Sequence, residues 1–281
     1  MADSGATSLY LKPTTRNTED QMSFSAILSR IGVHEERLRR FFDGAVSYDG
    51  PPVFEHPLYC IGFFNRSGSN LLAEYLRATP VFSGFHEQLN FDTVEKQCNQ
   101  RHIRSFPDYI MEMTSRFGRD CAGYGFKASV DQLMMIQRFN VHKMYAGGLR
   151  IIHITRQDLI GQAISFQIAN QTKKWTSQQD GLGDDVEVRF DATQLTQLIG
   201  QAQASCDGIA MFAEIFGHKR LHVTYEDLVS SPYTVLNRIS AFADQQDAEW
   251  PVTEPGIERQ ASKLNQEFRR LYLEKIRSDV L

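Results

Sequence analysis

Short runs of apolar residues alternate with longer stretches of helical apolar spacing along most of this chain. The apolar runs predict buried strands at 57–64, 81–84, 123–127, 149–155 and 220–224. The spacing between them predicts helices at 71–78, 92–102, 107–117, 131–145, 158–173, 191–217 and 232–245. Strands separated by helices indicate a parallel sheet with helices on both faces. The pattern therefore predicts the α/β fold class.

The first fifty residues follow a different pattern. Residues 1–20 are polar, which is typical of a mobile segment. Residues 22–43 have helical apolar spacing and predict one or two helices outside the central sheet. A break rich in proline and glycine at 49–52 precedes the first strand. We therefore expect an N-terminal extension over 1–52, partly mobile and partly helical, and a main domain over 53–281.

Length, charge and hydropathy narrow the possible functions. The chain has 281 residues, of which 42% are hydrophobic, enough for one α/β domain with a sizeable core. Its formal net charge is −4, from 30 basic and 34 acidic residues, which argues against bulk binding of nucleic acid. The chain has neither an apolar run long enough for a membrane span nor the start of a secretory signal. We therefore expect a cytoplasmic protein.

The cysteines and histidines indicate neither a disulfide framework nor a metal site. No two cysteines have C-x-x-C spacing, and the histidines lack the spacing of metal ligands. Free thiols in a reducing compartment are expected at Cys60, Cys98, Cys121 and Cys206. We expect no bound metal.

The loop after the first strand has the composition of an anion site. It lies between a buried strand and a helix, where backbone N–H groups and the positive end of the helix dipole bind phosphate. Gly68 would let the backbone approach an anion. Side-chain donors are available from Arg66, Ser67, Ser69 and Asn70. The alternative is an ordinary helix N-cap by Ser67 or Ser69. The loop is not a Walker A motif, because no lysine follows Gly68.

A second arginine is expected at the same edge of the sheet. Arg156 directly follows the strand at 149–155, and Ser165 lies nine residues later on the next helix. Because ligands of parallel sheets bind at the carboxyl ends of the strands, this pair could hold a second phosphate. Alternatively, Arg156 forms a surface salt bridge with Asp158, which would contribute little to stability.

Several segments occur in an order that resembles the bacterial trehalose-sulfotransferase-like family. They are Arg66-Ser-Gly-Ser-Asn-Leu-Leu, Leu76-Arg-Ala-Thr, Arg156-Gln-Asp, Gln162-Ala-Ile-Ser-Phe, Gln171-Thr-Lys-Lys-Trp and Glu258-Arg-Gln-Ala. The resemblance extends from about residue 57 to the C-terminus and implies a P-loop-like sheet. It also implies a sulfotransferase that uses 3′-phosphoadenosine 5′-phosphosulfate (PAPS) and no metal. The acceptor would be a hydroxyl of a carbohydrate, a glycolipid or another small molecule, with a trehalose-like sugar first.

The resemblance also implies roles for individual residues. The loop at 65–70 would hold the 5′-phosphosulfate, with Arg66 stabilising charge on the transferring group. Arg156 and Ser165 would hold the 3′-phosphate, with a further contact from Arg259 in a late loop. Members of the family form homodimers, and the polar segment 177–185 with the extended 186–190 is a candidate interface.

The expected general base is Glu87. The family has a glutamate at the tenth position of a segment that begins Ala-Thr-x-Val, and the count from Ala78 leads to Glu87. Its neighbours differ from those in the family, so His86 stays a rival base. Without the resemblance, Glu87 would be interpreted as a solvated loop carboxylate.

Two further residues complete the predicted site. Lys127, at the end of a strand, could offset donor charge or could extend its side chain from the sheet edge into solvent. Trp175 could stack on a sugar or on adenine, or it could pack the end of its helix. Glu226 and Asp227 are expected to cap the short helix that follows the last strand.

Two other functions remain open at this stage. One is a nucleotide kinase or another nucleotide enzyme on a related sheet, against which the missing Walker lysine argues. The other is a non-catalytic module that binds the nucleotide, against which the joint presence of Arg66, Glu87, Arg156 and Ser165 argues.

Overall fold

The computed structural model describes residues 24–79, 81–118, 121, 123–175, 187–245, 250 and 263–281. The segment 1–20, most of the candidate interface at 177–190 and Arg259 lie outside these residues. The expectations about them stay predictions.

Five parallel strands form the central sheet, which confirms the predicted fold class. They are β1 (Leu58–Phe63), β2 (Phe82–His86), β3 (Gly123–Ala128), β4 (Leu149–Thr155) and β5 (Lys219–Thr224). Their order across the sheet is β2-β3-β1-β4-β5, and each neighbouring pair is parallel. From β1 the chain leaves to one side for β2 and β3, and then crosses to the other side for β4 and β5. The carboxyl end of β1 is therefore a switch point, where ligands of such sheets bind.

Helices connect the strands. The first is α1 (Phe24–Ser29), followed by α2 (Val33–Phe41), α3 (Ser69–Arg77), α4 (Phe91–Arg101), α5 (Phe106–Phe117) and α6 (Val130–Arg138). After a short 3₁₀ helix (Val141–Met144) come α7 (Leu159–Thr172), α8 (Ala192–Ile215), α9 (Tyr225–Ser230), α10 (Pro232–Phe242) and α11 (Lys263–Val280). In the described part of the chain, none of these helices has the length and the apolar composition that crossing a membrane requires.

Both faces of the sheet are covered. Along β1, Leu58 and Cys60 belong to one apolar cluster, which includes residues of α6 and α8. The alternate residues Tyr59 and Ile61 belong to a second cluster, which includes residues of α3 and α10. Successive side chains of a strand point to opposite faces, so this division explains why β1 is apolar throughout.

The helices of the N-terminal extension pack directly on the main core. Leu38 and Val46 are buried in the same cluster as Leu58 of β1. Glu35 is 1% exposed, and its carboxylate accepts hydrogen bonds from Arg138 of α6, with N–O distances of 2.9 and 3.0 Å for Nε. Arg138 also donates to the backbone oxygen of Leu28. These contacts hold α1 and α2 against α6, and the boundary at residue 52 stays a prediction.

Two elements differ from their predicted bounds. The helix predicted at 131–145 ends at Arg138, because Asn140 adopts a left-handed backbone with a φ of 57° before the 3₁₀ helix starts. The strand predicted at 81–84 continues to His86 as β2, with an irregular register between Gly84 and His86. Phe85 has a φ of 54° there and is fully buried. Such a bulge changes the direction of the residues that follow, here those around Glu87.

The expected role of Glu226 as a helix cap is wrong. The N-cap of α9 is Thr224, whose hydroxyl accepts from the backbone N–H of Asp227. Glu226 instead accepts from the backbone N–H groups of Gln157 and Asp158, at 3.0 and 3.3 Å. The carboxylate therefore joins the loop after β4 to the first turn of α9, a tertiary contact that local sequence does not encode.

Candidate active site

The carboxyl ends of the five parallel strands lie at one edge of the sheet. The polar or charged positions there are 66–68 after β1, Glu87 after β2, Lys127 near the end of β3, Arg156 after β4 and Tyr225 after β5. The sheet order places the arginine-bearing loops around β1 and β4, and Glu87 and Lys127 around β2 and β3. The edge therefore has a basic part and a part that carries a carboxylate, with the loop after β1 between them.

The loop after β1 turns sharply into α3. Arg66 and Gly68 both have left-handed backbones, with φ values of 65° and 89°. Gly68 is the N-cap of α3 and no side chain caps the helix, so the alternative of a cap by Ser67 or Ser69 is wrong. A Cβ atom at Gly68 would lie 2.4 Å from the ring of Tyr225. The first N–H groups of α3, which have no partner inside the helix, are thus accessible to a ligand rather than to a cap.

Arg66 contacts the residue that was predicted to serve the other phosphate. Its Nε donates to the Ser165 hydroxyl at 2.9 Å, and its Nη1 donates to the backbone oxygen of Trp175. Burial lowers the pKa of Arg66, and the nearby charge of Arg156 lowers it further. The two predicted phosphate sites are therefore adjacent, and they place two guanidinium groups close enough to repel each other.

Arg156 lies between acidic and aromatic neighbours. Its Nη2 is 3.6 Å from an oxygen of Asp158, and its guanidinium carbon lies 5.1 Å from the centre of the Tyr225 ring. Asp158 is already used elsewhere, because it accepts from Arg269 and from the backbone N–H of Gly161. The predicted salt bridge thus exists only as a long contact, and it leaves most of the hydrogen-bonding capacity of Arg156 for a ligand.

Two buried side-chain donors at this part of the edge have no partner among the described residues. They are the hydroxyl oxygen of Ser67, which is fully buried, and Nε of Arg156. Buried polar groups are almost always hydrogen-bonded, so such atoms at a sheet edge indicate a missing ligand. Phosphate oxygens would accept from both and would separate the two repelling guanidinium groups. The residues therefore fit a ligand with two anionic groups.

Glu87 and Lys127 form an ion pair on the other side of β1. Lys127 Nζ lies 2.7 Å from Glu87 Oε1 and 2.5 Å from Asn70 Oδ1. The lysine is 4% exposed, so the interpretation of a side chain reaching into solvent is wrong. Since Asn70 belongs to the first turn of α3, Lys127 connects the carboxylate to the anion loop.

A second chain of hydrogen bonds holds the other oxygen of Glu87. Asn90 Nδ2 donates to Glu87 Oε2 at 3.0 Å, and Gln132 Nε2 donates to Asn90 Oδ1 at 2.9 Å. Asn90 is the N-cap residue of α4, yet its side chain makes no cap hydrogen bond. Its amide is used to orient Glu87 instead, so the carboxylate is held at both oxygens.

The surroundings set the protonation states of this part of the edge. Burial by itself would raise the pKa of Glu87, but the charge and hydrogen bond of Lys127 outweigh it and lower the pKa. Burial lowers the pKa of Lys127, although Glu87 counteracts part of that effect. Burial, with Arg77 and Lys127 nearby, also lowers the pKa of His86. Glu87 is therefore ionised and His86 is neutral at pH 7.

A cavity of about 300 Å³ opens beside Glu87. Its lining includes Glu87, Asn90 and Asn65 from the sheet edge and Gln132 from α6. The volume is at the lower end of the range for small-molecule sites, which is roughly 300–1,000 Å³. A molecule in this cavity would meet the Glu87 carboxylate directly.

The structure gives the remaining predicted site residues fewer contacts with the site. Trp175 supplies its backbone oxygen to Arg66, and its ring packs against Phe166 with centroids 5.8 Å apart. His86 is exposed at the end of β2. Arg259 lies outside the described residues. Within the described part of the chain, no group of His, Cys, Asp or Glu side chains is arranged to hold a metal ion.

Some residues of the site were missed by the sequence analysis. Gln162 donates to the backbone oxygen of Asn65 at 2.9 Å and so fixes the loop after β1. Tyr225 separates Gly68 from Arg156, and Asn90 orients Glu87. The position of Tyr225 directly after a predicted strand was an available signal, whereas the contact that fixes the Asn90 amide comes from Gln132, 42 positions away.

The chain is similar to known sulfotransferases. The model of the Stf0 sulphotransferase family matches residues 129–275, more than half of the chain. A solved sulfotransferase from Alicyclobacillus acidocaldarius matches with a TM-score of 0.46 and 14% identity, over 79% of this chain and 93% of that one. The sulfotransferase domain of the Synechococcus PCC 7002 olefin synthase matches with a TM-score of 0.48 and 14% identity, over 81% and 98%. No curated protein matches the sequence. The family match establishes that the chain belongs to the Stf0 sulfotransferase family.

Proposed function

We propose that this sulfotransferase moves a sulfuryl group from PAPS to a hydroxyl of a small carbohydrate-like acceptor, with Glu87 as the general base. The observation that carries the proposal is the pair of guanidinium groups, Arg66 and Arg156, next to unpartnered polar atoms at the switch point of the sheet. A donor with a 5′-phosphosulfate and a 3′-phosphate has the two anionic groups that this arrangement fits.

The donor would be bound by the loop after β1 and by Arg156. The free N–H groups at the start of α3 and the Ser67 hydroxyl would hold the phosphosulfate, with help from Ser69 and Asn70. Arg156 and Ser165 would hold the 3′-phosphate, with Arg259 as a further candidate. Arg66 contacts Ser165 in the structure and so lies between the two groups.

The chemistry is an in-line displacement at sulfur. The acceptor oxygen forms a bond to sulfur, the bond from sulfur to the bridging phosphate oxygen breaks, and adenosine 3′,5′-bisphosphate leaves. Glu87 would take the proton of the acceptor hydroxyl. Arg66 would stabilise charge on the leaving phosphate and on the transferring group, as cationic groups do in phosphoryl transfer. No step requires a metal.

Lys127 would connect the general base to the loop that binds the donor. It holds Glu87 Oε1 and at the same time Asn70 of the donor loop. The lysine therefore keeps the base ionised and sets its distance from the donor. His86 is neutral and exposed, and no hydrogen bond among the described residues holds its ring, so we favour Glu87 as the base.

The other functions considered from the sequence lose support. A kinase would need a lysine after Gly68 and a site for magnesium, and the family assignment is to sulfotransferases. A non-catalytic module would not need a carboxylate held at both oxygens beside the donor loop. We also propose a homodimer and a reducing compartment such as the cytoplasm, where the four free cysteines would persist.

Thermal-shift measurements test the donor assignment. Adenosine 3′,5′-bisphosphate should stabilise the protein by about 2.7 kcal/mol at a hundredfold excess over its dissociation constant. Adenosine 5′-monophosphate, which lacks the 3′-phosphate, should give a much smaller shift. Equal shifts with the two nucleotides would sink the assignment of Arg156 and Ser165 to the 3′-phosphate.

A further inference from the structure

The N-terminal extension forms one wall of the cavity beside Glu87. The wall consists of residues 32–35, at the start of α2. The lining also includes Ser129 and Gln132 at the start of α6 and Asn90 at the start of α4. Three helices therefore begin at this cavity.

The charges in this wall are neutralised within the protein. Glu35 is buried against Arg138, and Asp131 of α6 accepts from Arg30. Among the ionisable groups that line the cavity, Glu87 is the one to which the proposed function gives a catalytic task. The remaining lining combines amide, hydroxyl and imidazole groups with a few apolar side chains such as Val33 and Met135. Such a lining suits a neutral molecule with several hydroxyl groups.

The ring of His34 is fixed as a hydrogen-bond donor. Its Nδ1 lies 3.0 Å from the backbone nitrogen of Phe91 and accepts that N–H, the first of α4. Burial lowers the pKa of His34, so the imidazole is neutral at pH 7. A neutral ring that accepts at Nδ1 carries its proton at Nε2. Within the described residues, no hydrogen-bond partner holds that Nε2–H.

We propose that residues 32–35 form part of the acceptor site, and that His34 selects the acceptor by donating its Nε2–H to a second oxygen of the molecule whose hydroxyl Glu87 deprotonates. The inference rests on the proposed function. It gives the N-terminal extension a direct role in specificity. An acceptor with several hydroxyl groups can engage Glu87 and His34 together, whereas a simple alcohol or phenol offers one oxygen for both.

Two substitutions at His34 separate its donor from its structural role. His34→Asn keeps an acceptor near Nδ1 for the Phe91 N–H but removes the more distant Nε2–H. His34→Gln loses that acceptor but places an amide N–H close to the position of Nε2. The control is His102→Asn, at an exposed left-handed position with a φ of 57°, which asparagine tolerates. Melting temperatures of the three variants show whether each remains folded.

The assay uses labelled PAPS with defined acceptors. Trehalose, glucose and myo-inositol are compared with 1-octanol and phenol, and the sulfated products are identified by mass spectrometry. We expect transfer to at least one sugar or polyol. For that acceptor, His34→Asn should raise KM about five- to tenfold, the effect of one lost hydrogen bond. His34→Gln should recover part of the loss, and His102→Asn should leave KM unchanged.

The outcomes distinguish this inference from the proposed function. If adenosine 3′,5′-bisphosphate does not bind, the proposed function fails and the inference fails with it. If the nucleotide binds and a sugar is sulfated, but His34→Asn keeps the wild-type KM, the role of His34 is overturned while the proposed function stands. Transfer to octanol or phenol alone, or to none of the five acceptors, overturns the acceptor class. The dissociation constant of the nucleotide should be the same in all variants.

Discussion

Replacement of Lys127 by methionine should move the acid limb of the activity profile to higher pH. In the folded protein, burial raises the pKa of Glu87, and Lys127 more than compensates for this effect. Methionine has a similar length and can occupy the buried space, but it has neither the charge nor the hydrogen bond at 2.7 Å. The burial of Glu87 then acts unopposed, and its pKa should rise.

The expected size of the shift follows from the geometry. A hydrogen bond between charged groups contributes roughly 1.5–3 kcal/mol. The Glu87 side chain is 49% exposed, so solvent screens part of the interaction and the lower end applies. One pKa unit corresponds to about 1.4 kcal/mol, so we expect a rise of about one unit.

The assay is kcat/KM for a sugar acceptor as a function of pH. The lowered pKa of Glu87 means that the wild-type base is ionised at neutral pH, and that activity is lost only when the pH falls through that lowered value. In Lys127→Met the loss should begin at higher pH. Lys127→Arg keeps a cation, so the acid limb of its activity profile should stay close to that of the wild type. Melting curves across the same pH range exclude acid unfolding as the cause of a lost activity. An unchanged or lower limb in Lys127→Met would refute the reasoning.

Other predictions follow from the same geometry. Arg156→Ala should weaken binding of adenosine 3′,5′-bisphosphate at least tenfold by calorimetry, since a charged hydrogen bond of roughly 1.5–3 kcal/mol is lost, and unchanged affinity would count against this role. Gly68→Ala should destabilise the fold by about 1–3 kcal/mol in denaturant unfolding, because a Cβ there would meet the Tyr225 ring and the left-handed backbone disfavours alanine. Glu87→Gln should lower turnover about 10²–10⁴-fold with donor affinity kept, whereas a dead His86→Asn beside an active Glu87→Gln would transfer the base to His86. Light scattering at micromolar concentration should report a dimer, and a monomer would contradict the proposed assembly.

The sequence predicted the strands of the sheet well because the apolar pattern that marks a strand lies within the strand itself. β1 and β4 are mostly apolar, as expected for strands covered on both faces, and their bounds were within one residue. The loop after β1 and Arg156 were found because residues that directly follow parallel strands must share an edge. The bulge in β2 was not predictable, since the conformation of Phe85 depends on close packing of its ring against Gly125 of the neighbouring strand.

The contacts within the site were not predictable for a related reason. Arg66 and Ser165 are 99 positions apart, and Glu87 and Lys127 are 40 apart. Their distances depend on how α3 and α7 pack on the sheet, and a single sequence does not encode this directly. Asn90 illustrates the limit most clearly. Its position before α4 is typical of a helix cap, but its amide instead connects Glu87, three positions away, to Gln132 of α6, 42 positions away.

The placement of the N-terminal extension explains how one enzyme could change its acceptor while keeping its donor. The proposed donor contacts come from the loops after β1 and β4, which are held by Ser165, Gln162 and Tyr225 of the main domain. The proposed acceptor wall at 32–35 belongs to the N-terminal extension. It is held in place by the ion pair of Glu35 with Arg138, on the side of α2 that packs on α6. Substitutions at Val33 and His34 would therefore alter the cavity while leaving that clamp and the donor loops intact, which makes these two positions the first to vary in a search for new acceptors.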